Sequence, residues 1–217
     1  MNWSLEPLMR ELNRYCHSID GMIPDEWYVI VVAVFVAGSM LSFACFGIKK
    51  GLHYSLLLLL TAYAFLIYGI AVFCRRTMII RKFDLTPFWS YRPIMDGNIW
   101  LLVEDIMNVV MFIPIGVLIG TQIKATQKPQ KTQKDLSSEN HQTCLSGCVA
   151  RIFAESKWEW LFVTLVGAGL SIGIETLQFV FKKGFAEFDD VFHNTLGCLI
   201  GYMICLSVLK AYRLCKS

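Results

Sequence analysis

The sequence predicts an all-α membrane protein, a bundle of about five transmembrane helices whose last three form a glycine-striped core. Hydrophobic residues make up 55% of the 217 positions and charged residues only 17%, and the mean hydropathy is +0.51. A soluble domain of this length carries more charge and lacks apolar runs of about 18 residues or more. The composition therefore excludes an ordinary soluble protein, and no nucleic-acid partner is predicted.

Five apolar runs are long enough to cross a hydrocarbon core, which takes about 20 residues in a helix. They are residues 27–48, 53–74, 106–123, 160–181 and 191–209. These runs divide the chain into four parts: a polar N-terminal segment at 1–26, an extra transmembrane helix at 27–52, a four-span domain at 53–210 and a tail at 211–217. Within the domain, the Lys-, Gln- and Thr-rich stretch 124–157 predicts a flexible polar loop.

Five crossings place residues 1–26, 75–105 and 182–190 on the same face of the membrane. Lys and Arg are divided almost equally between the two faces, so the positive-inside rule does not decide the orientation. Acidic residues concentrate on the first face. We therefore expect a multi-pass membrane protein with its N-terminus and first-face loops outside and its C-terminus inside.

Glycines recur at a spacing of four in each of the last three runs. The pairs are Gly116 and Gly120, Gly169 and Gly173, and Gly197 and Gly201. Residues four apart lie roughly one turn apart on the same helix face, where small side chains let backbones approach closely. The pattern predicts that the last three helices pack tightly and that the first two, rich in Leu, Val and Phe, lie at the periphery.

A group of polar residues falls at one end of these three helices and forms a candidate pocket. Its members are Asn108, Glu175, Gln178, Asp190, His193 and Asn194. Glu175 lies six residues before the end of its run, about 9 Å inside it. A carboxylate there costs about 2.5–3.5 kcal/mol and faces the bundle interior or a watery cavity.

Each polar residue also has a structural interpretation. Asp189 or Asp190 would cap the last helix, and the amide side chains would form hydrogen bonds between helices. His193 would be a buried boundary histidine. In the functional interpretation the same residues form a pocket open to the outer face, and Arg81, Arg92 and Lys183 on the adjoining loops are candidate substrate-binding residues.

Four motifs in order resemble the VanZ-like family. They are TPFWSYR; N-x3-F-x-P-x-G from Asn108; S-x3-E-x2-Q from Ser171; and F-D-D-x3-N-x2-G-x3-G over residues 188–201. The resemblance spans roughly residues 55–210 and implies a four-span core. This chain differs from the family at two positions. Asp84, just before TPFWSYR, stands where the family commonly has an amide, and Lys183 stands where it often has Arg. Both changes bear on any shared anion specificity, because Lys lacks the bidentate fork of Arg.

The resemblance implies a protein of the bacterial plasma membrane that lowers susceptibility to lipoglycopeptide antibiotics such as teicoplanin, by action on the drug or on a lipid-linked cell-wall precursor. An alternative is a membrane-embedded enzyme for an isoprenoid-phosphate or phospholipid substrate, with Glu175 or Asp190 as general acid or base and Arg81 and Arg92 on the phosphate. No cofactor is predicted, although these acids with His193 offer ligands for a divalent cation. A transporter with Glu175 as proton carrier is the third hypothesis, against which stands the lack of an inverted repeat.

Overall fold

The chain folds into an α-helical bundle. The computed structural model describes residues 5–20, 25–75, 77–126 and 157–215. The elements are α1 (Leu5–Asp20), α2 (Asp25–Tyr68), a π-helical turn (Gly69–Phe73), β1 (Lys82–Asp84), α3 (Tyr91–Met95), α4 (Ile99–Thr126), α5 (Lys157–Phe181), β2 (Phe185–Glu187) and α6 (Phe188–Leu214). Five segments of the described chain are long and apolar enough to cross a membrane: Val29–Ile48, Lys50–Phe73, Ile99–Ala125, Trp158–Phe181 and Phe188–Tyr212. The predicted five-span, all-α class is confirmed.

The first two spans form a helical hairpin within α2. Gly47 interrupts the helix with φ 70° and ψ 177°, a conformation that glycine adopts readily because it has no Cβ. The rings of Phe46 and Tyr54 have centroids only 4.7 Å apart, whereas a straight helix separates residues eight apart by about 12 Å. The chain therefore reverses direction at Gly47. The apolar window of the first span contains no buried residue, as expected for a peripheral helix.

Helices α4 and α6 pack through their glycines. A Cβ added at Gly116 would overlap the carbonyl oxygen of Cys198, and one added at Gly197 would overlap that of Val109. At Gly201 the added Cβ would overlap the carbonyl oxygen of Ile113. The two backbones thus meet directly, with no room for side chains between them, as the spacing of these glycines predicts.

The prediction was wrong for Gly169 on α5. A Cβ added there would have no neighbour within 4 Å. Gly167 makes the close contact to α6 instead, since an added Cβ would lie 2.8 Å from the Cβ of Cys198, and Gly173 faces the hydroxyl of Tyr68 at the end of α2. The α5 glycines therefore face two neighbours on different sides rather than forming one stripe toward the core.

Two short strands fix the loops at one end of the bundle. β1 pairs with β2 in parallel, in the register Lys82 with Phe185 and Asp84 with Glu187. β1 precedes the segment 85–90, and β2 leads directly into α6. The pairing therefore holds residues 85–90 against the start of α6, where the predicted polar residues lie.

The polar N-terminal segment contains α1, which the sequence analysis did not predict. Leu8, Leu12 and Tyr15 recur at helical spacing and are partly buried, and the Tyr15 ring lies 5.8 Å from that of Trp100 at the start of α4. Both ends of the predicted loop 124–157 are helical, because α4 runs to Thr126 and α5 begins at Lys157. Residues 127–156 lie outside the described part of the chain.

Candidate functional site

The six residues of the predicted pocket lie together at one end of α4, α5 and α6. None is more than 8% exposed, so Asn108, Glu175, Gln178, Asp190, His193 and Asn194 form a packed network, whereas the sequence predicted an open pocket. Asn108 lies deeper than predicted. α4 begins at Ile99 rather than near residue 106, which places Asn108 about two and a half turns, or ~13 Å, from the start of the helix.

Two amide side chains connect α6 to its neighbours. The Asn108 Nδ2 on α4 donates a 2.7 Å hydrogen bond to Oδ1 of Asp190. The Asn194 Nδ2, one turn along α6, donates a 2.8 Å bond to Oγ of Ser171 on α5. These side chains connect α6 to α4 and to α5, about one turn apart. Asn194 Oδ1 is buried and has no hydrogen-bond partner among the described residues, an arrangement that costs free energy unless a further donor is supplied.

Gln178 connects α5 to the π-helical turn. Its Nε2 donates a 3.0 Å bond to the carbonyl oxygen of Ala71. Gly184 lies against this contact, because a Cβ added there would be 3.1 Å from the Gln178 amide and 3.2 Å from Nη1 of Arg75. The arrangement brings the guanidinium of Arg75 to the edge of the network.

Asp189 holds the loop that follows β1. Its side chain is fully buried, and its Oδ1 accepts the N–H of Phe88 at 2.6 Å. Its Oδ2 accepts the N–H of Ser90 at 3.1 Å and the Ser90 hydroxyl at 2.8 Å. Phe88 has a φ of 59°, an uncommon conformation for a non-glycine residue. Asp189 therefore does more than cap α6, because its side chain also holds residues 88–90 against the start of that helix.

Glu187 lies at the end of β2, between the loop and the helices. Its N–H donates a 2.9 Å bond to Oε2 of Glu175, and its own Oε2 accepts the indole N–H of Trp89 at 2.9 Å. Burial, followed by the negative charge of Asp190, raises the pKa of Glu187 to about 8, against the lowering effect of the Trp89 bond. The raised pKa favours the protonated form of Glu187 in the folded protein near neutral pH.

A chain of polar side chains runs from the surface into the network. The hydroxyl of Tyr91, which is 42% exposed, lies 3.2 Å from Nε2 of His193. The other ring nitrogen, Nδ1, is 3.5 Å from Oδ1 of Asp105, longer than an ordinary hydrogen bond. Asp105 Oδ2 in turn lies 3.1 Å from the Ser90 hydroxyl. Burial, together with the charges of Asp105 and Asp189, raises the pKa of Tyr91.

Arg75 brings a guanidinium to the network, and no sequence pattern predicted it. It interacts electrostatically with Glu104, Glu175 and Asp190. In the described part of the chain, no carboxylate oxygen lies within 4.0 Å of its nitrogens. Glu104 was also not predicted, because it precedes the apolar run at 106–123 and so was expected in a loop. In the structure α4 already begins at Ile99. The signal for Arg75 was its position as the first cation after the second apolar run.

The three predicted substrate-binding cations lie elsewhere. Arg81 stacks on Phe179 at 5.8 Å, and Arg92 is exposed on α3. Lys183 donates a 2.9 Å bond to the backbone oxygen of Arg75. Lys183 therefore supports Arg75 by fixing its backbone, while Arg81 and Arg92 remain candidate contacts at the surface.

The described side chains include no group of three or more His, Cys, Asp or Glu residues placed to hold a metal ion. The acids of the network instead bond to amides, hydroxyls and backbone N–H groups, as in the Asp190 and Asp189 contacts.

The fold and site define a multi-pass α-helical membrane protein with a buried network of carboxylates at one end of its core. The sequence model of the VanZ/LLP1 family matches residues 51–210, nearly three quarters of the chain. The protein belongs to the VanZ/LLP1 family. Comparison with curated proteins and with solved structures gave no significant match.

Proposed function

We propose that the protein acts in the cell envelope and lowers susceptibility to lipoglycopeptide antibiotics such as teicoplanin. The polar network would lie at the outer face and engage either the drug or a lipid-linked cell-wall precursor. Membership of the VanZ/LLP1 family supports this proposal, since teicoplanin resistance is what the sequence resemblance implies.

The observation that carries the role of the network is the burial of Glu175 and Asp190 inside the core helices. Glu175 is 7% exposed and Asp190 8% exposed, and Glu175 lies about 9 Å inside α5. Helix capping does not require a carboxylate at that depth, and buried acids within a membrane span carry a cost that usually accompanies function. We therefore assign the network to ligand engagement.

The experiment is teicoplanin susceptibility of a sensitive bacterial host that expresses the protein. We expect the wild type to raise the inhibitory concentration and Glu175→Gln, which keeps shape but loses the ionisable group, to abolish the rise at equal abundance. Thr176→Ala is a matched control on the exposed side of α5 and should protect like the wild type. If the wild type gives no protection, the proposed phenotype is wrong for this protein.

A membrane-embedded enzyme acting on a lipid-linked substrate is a second candidate, favoured by one observation. The Tyr91–His193–Asp105 chain pairs a hydroxyl, a base within 3.2 Å and a carboxylate beyond it, an order that suits general acid–base work. Expressing cells would then show a changed polar-lipid profile by mass spectrometry, and Tyr91→Phe would restore the profile of cells without the protein. Identical profiles with and without the wild type would refute catalysis on a lipid of the host.

A further inference from the structure

A separate cavity lies between α1 and the turn before α4. Its volume is about 370 Å³, and its walls include Arg10, Glu11 and Arg14 from α1 with Asn98, Ile99 and Trp100 from the other side. None of the six residues of the network lines it. The cavity falls within the range of sizes that hold small polar ligands.

α1 presents its two arginines on a fixed surface. Arg10, Glu11 and Arg14 recur at intervals that put them on one face of a helix. The adjacent face, with Leu12 and Tyr15, is partly buried and holds α1 in place through the contact of Tyr15 with Trp100. The guanidinium groups are therefore carried by a docked helix, which lowers the entropy lost when they bind a ligand.

The hydrogen-bonding capacity at the cavity is mostly donor. The carboxylate of Glu11 accepts hydrogen bonds from Nη1 of Arg14, at 2.8 and 2.9 Å. The Arg10 guanidinium lies 4.0 Å from the carboxylate of Glu6, beyond hydrogen-bonding distance. The N-terminus of α4 adds the positive end of its dipole, and the side-chain oxygen of Asn98 accepts one of the first N–H groups, that of Leu101, at 3.4 Å. The lining side chains carry two guanidiniums and one carboxylate, and the carboxylate of Glu6 beside Arg10 lies outside the lining.

The cavity adjoins the start of a candidate membrane span. α4 enters its membrane span at Ile99, and Trp100 suits the boundary between hydrocarbon and water. α1 exposes Leu5 and Met9, at 75% and 60%, as an interfacial helix does when its apolar side rests on acyl chains. A ligand in this cavity would contact the guanidinium groups on one side and the neighbouring lipid on the other.

We propose that this cavity binds the phosphate of an anionic phospholipid head group, with Arg10 and Arg14 as the recognising side chains. Guanidinium groups bind phosphate oxygens through paired, charge-assisted hydrogen bonds. Inorganic phosphate offers the same oxygens, so the test must separate the two sources. The proposal is independent of any role in antibiotic susceptibility.

The test measures binding of the purified full-length protein to short-chain phosphatidylglycerol, phosphatidylcholine and inorganic phosphate, by thermal stabilisation at constant ionic strength. Two double variants are compared: Arg10→Gln with Arg14→Gln, and the matched control Lys82→Gln with Lys182→Gln, which removes the same charge at the same end. We expect phosphatidylglycerol to bind the wild type and the control equally, and the first variant at least about tenfold more weakly.

Stabilisation by phosphatidylglycerol but not by inorganic phosphate would assign the site to a lipid, and equal stabilisation by both would assign it to phosphate itself. Equal weakening in both double variants would overturn the proposal in favour of general surface charge. Unchanged binding in the first variant would overturn it outright. Arg10→Gln alone keeps the Arg14–Glu11 pair, and it carries the same test if the double variant melts early without ligand.

Discussion

The packing of α4 against α6 gives the sharpest prediction about stability, made with Gly197→Ala and Gly169→Ala. A Cβ at Gly197 would overlap the Val109 carbonyl oxygen and would lie 2.9 Å from its carbon and 3.0 Å from its Cα. All three atoms are backbone, so relief requires the two helices to separate. At Gly169 the same Cβ has no neighbour within 4 Å.

Alanine favours a helix over glycine by about 1 kcal/mol, and this gain is common to both variants. Overpacking at Gly197 should cost about 1–3 kcal/mol or more. The free energy of unfolding of Gly197→Ala should therefore be lower than that of Gly169→Ala by about that amount. Unfolding of the purified protein in mixed detergents, followed by circular dichroism, measures the difference. Equal free energies of unfolding for the two variants would refute the close approach of α4 and α6.

Three further predictions concern the loops and the first two spans. In a cysteine-free background, a cysteine probe at Glu187 should be labelled from outside intact cells and one at Ser137 should not; the reverse would invert the proposed orientation. The pKa of Glu187 is raised from 4.5 to about 8, so between roughly pH 4.5 and 8 the folded state keeps a proton that the unfolded state releases. The free energy of unfolding should therefore fall as pH rises through that window. Glu187→Gln should reduce the dependence of the free energy of unfolding on pH in this window, and an unchanged dependence would contradict the raised pKa of Glu187. Gly47→Ala should destabilise the hairpin, because a residue with a Cβ is strained at the φ of 70° found there. An unchanged melting temperature would show that the turn tolerates a side chain.

The spans and several network residues were predictable because their signals are strong in the sequence itself. Long apolar runs define the spans, and Glu175 was found because a carboxylate inside such a run is costly. Arg75 was not found, since a cation at the end of an apolar run usually lies in water and only tertiary packing brings it beside Asp190 and Glu104. Gly169 was misassigned because Gly167 offers α5 a second small residue, and spacing alone does not show which one faces α6.

The start of α4 was misplaced for a related reason. Glu104 and Asp105 interrupt the apolar pattern, so the sequence analysis began the helix after them, although α4 begins at Ile99. In the fold Asp105 is buried beside Ser90 and His193. Interruptions of this kind arise where a helix contributes acids to a polar network, and the sequence does not distinguish them from a loop.

The central claim is that the buried acids engage a ligand and do more than hold the helices together, and Asp190→Asn tests it most directly. The amide keeps an oxygen that can accept the 2.7 Å bond from Asn108, but it carries no charge. We expect Asp190→Asn to insert, reach wild-type abundance and melt near the wild-type temperature, yet to lose all protection against teicoplanin in a host that the wild type protects. Full protection by Asp190→Asn at equal abundance would contradict the account and leave the network as a structural connection between helices.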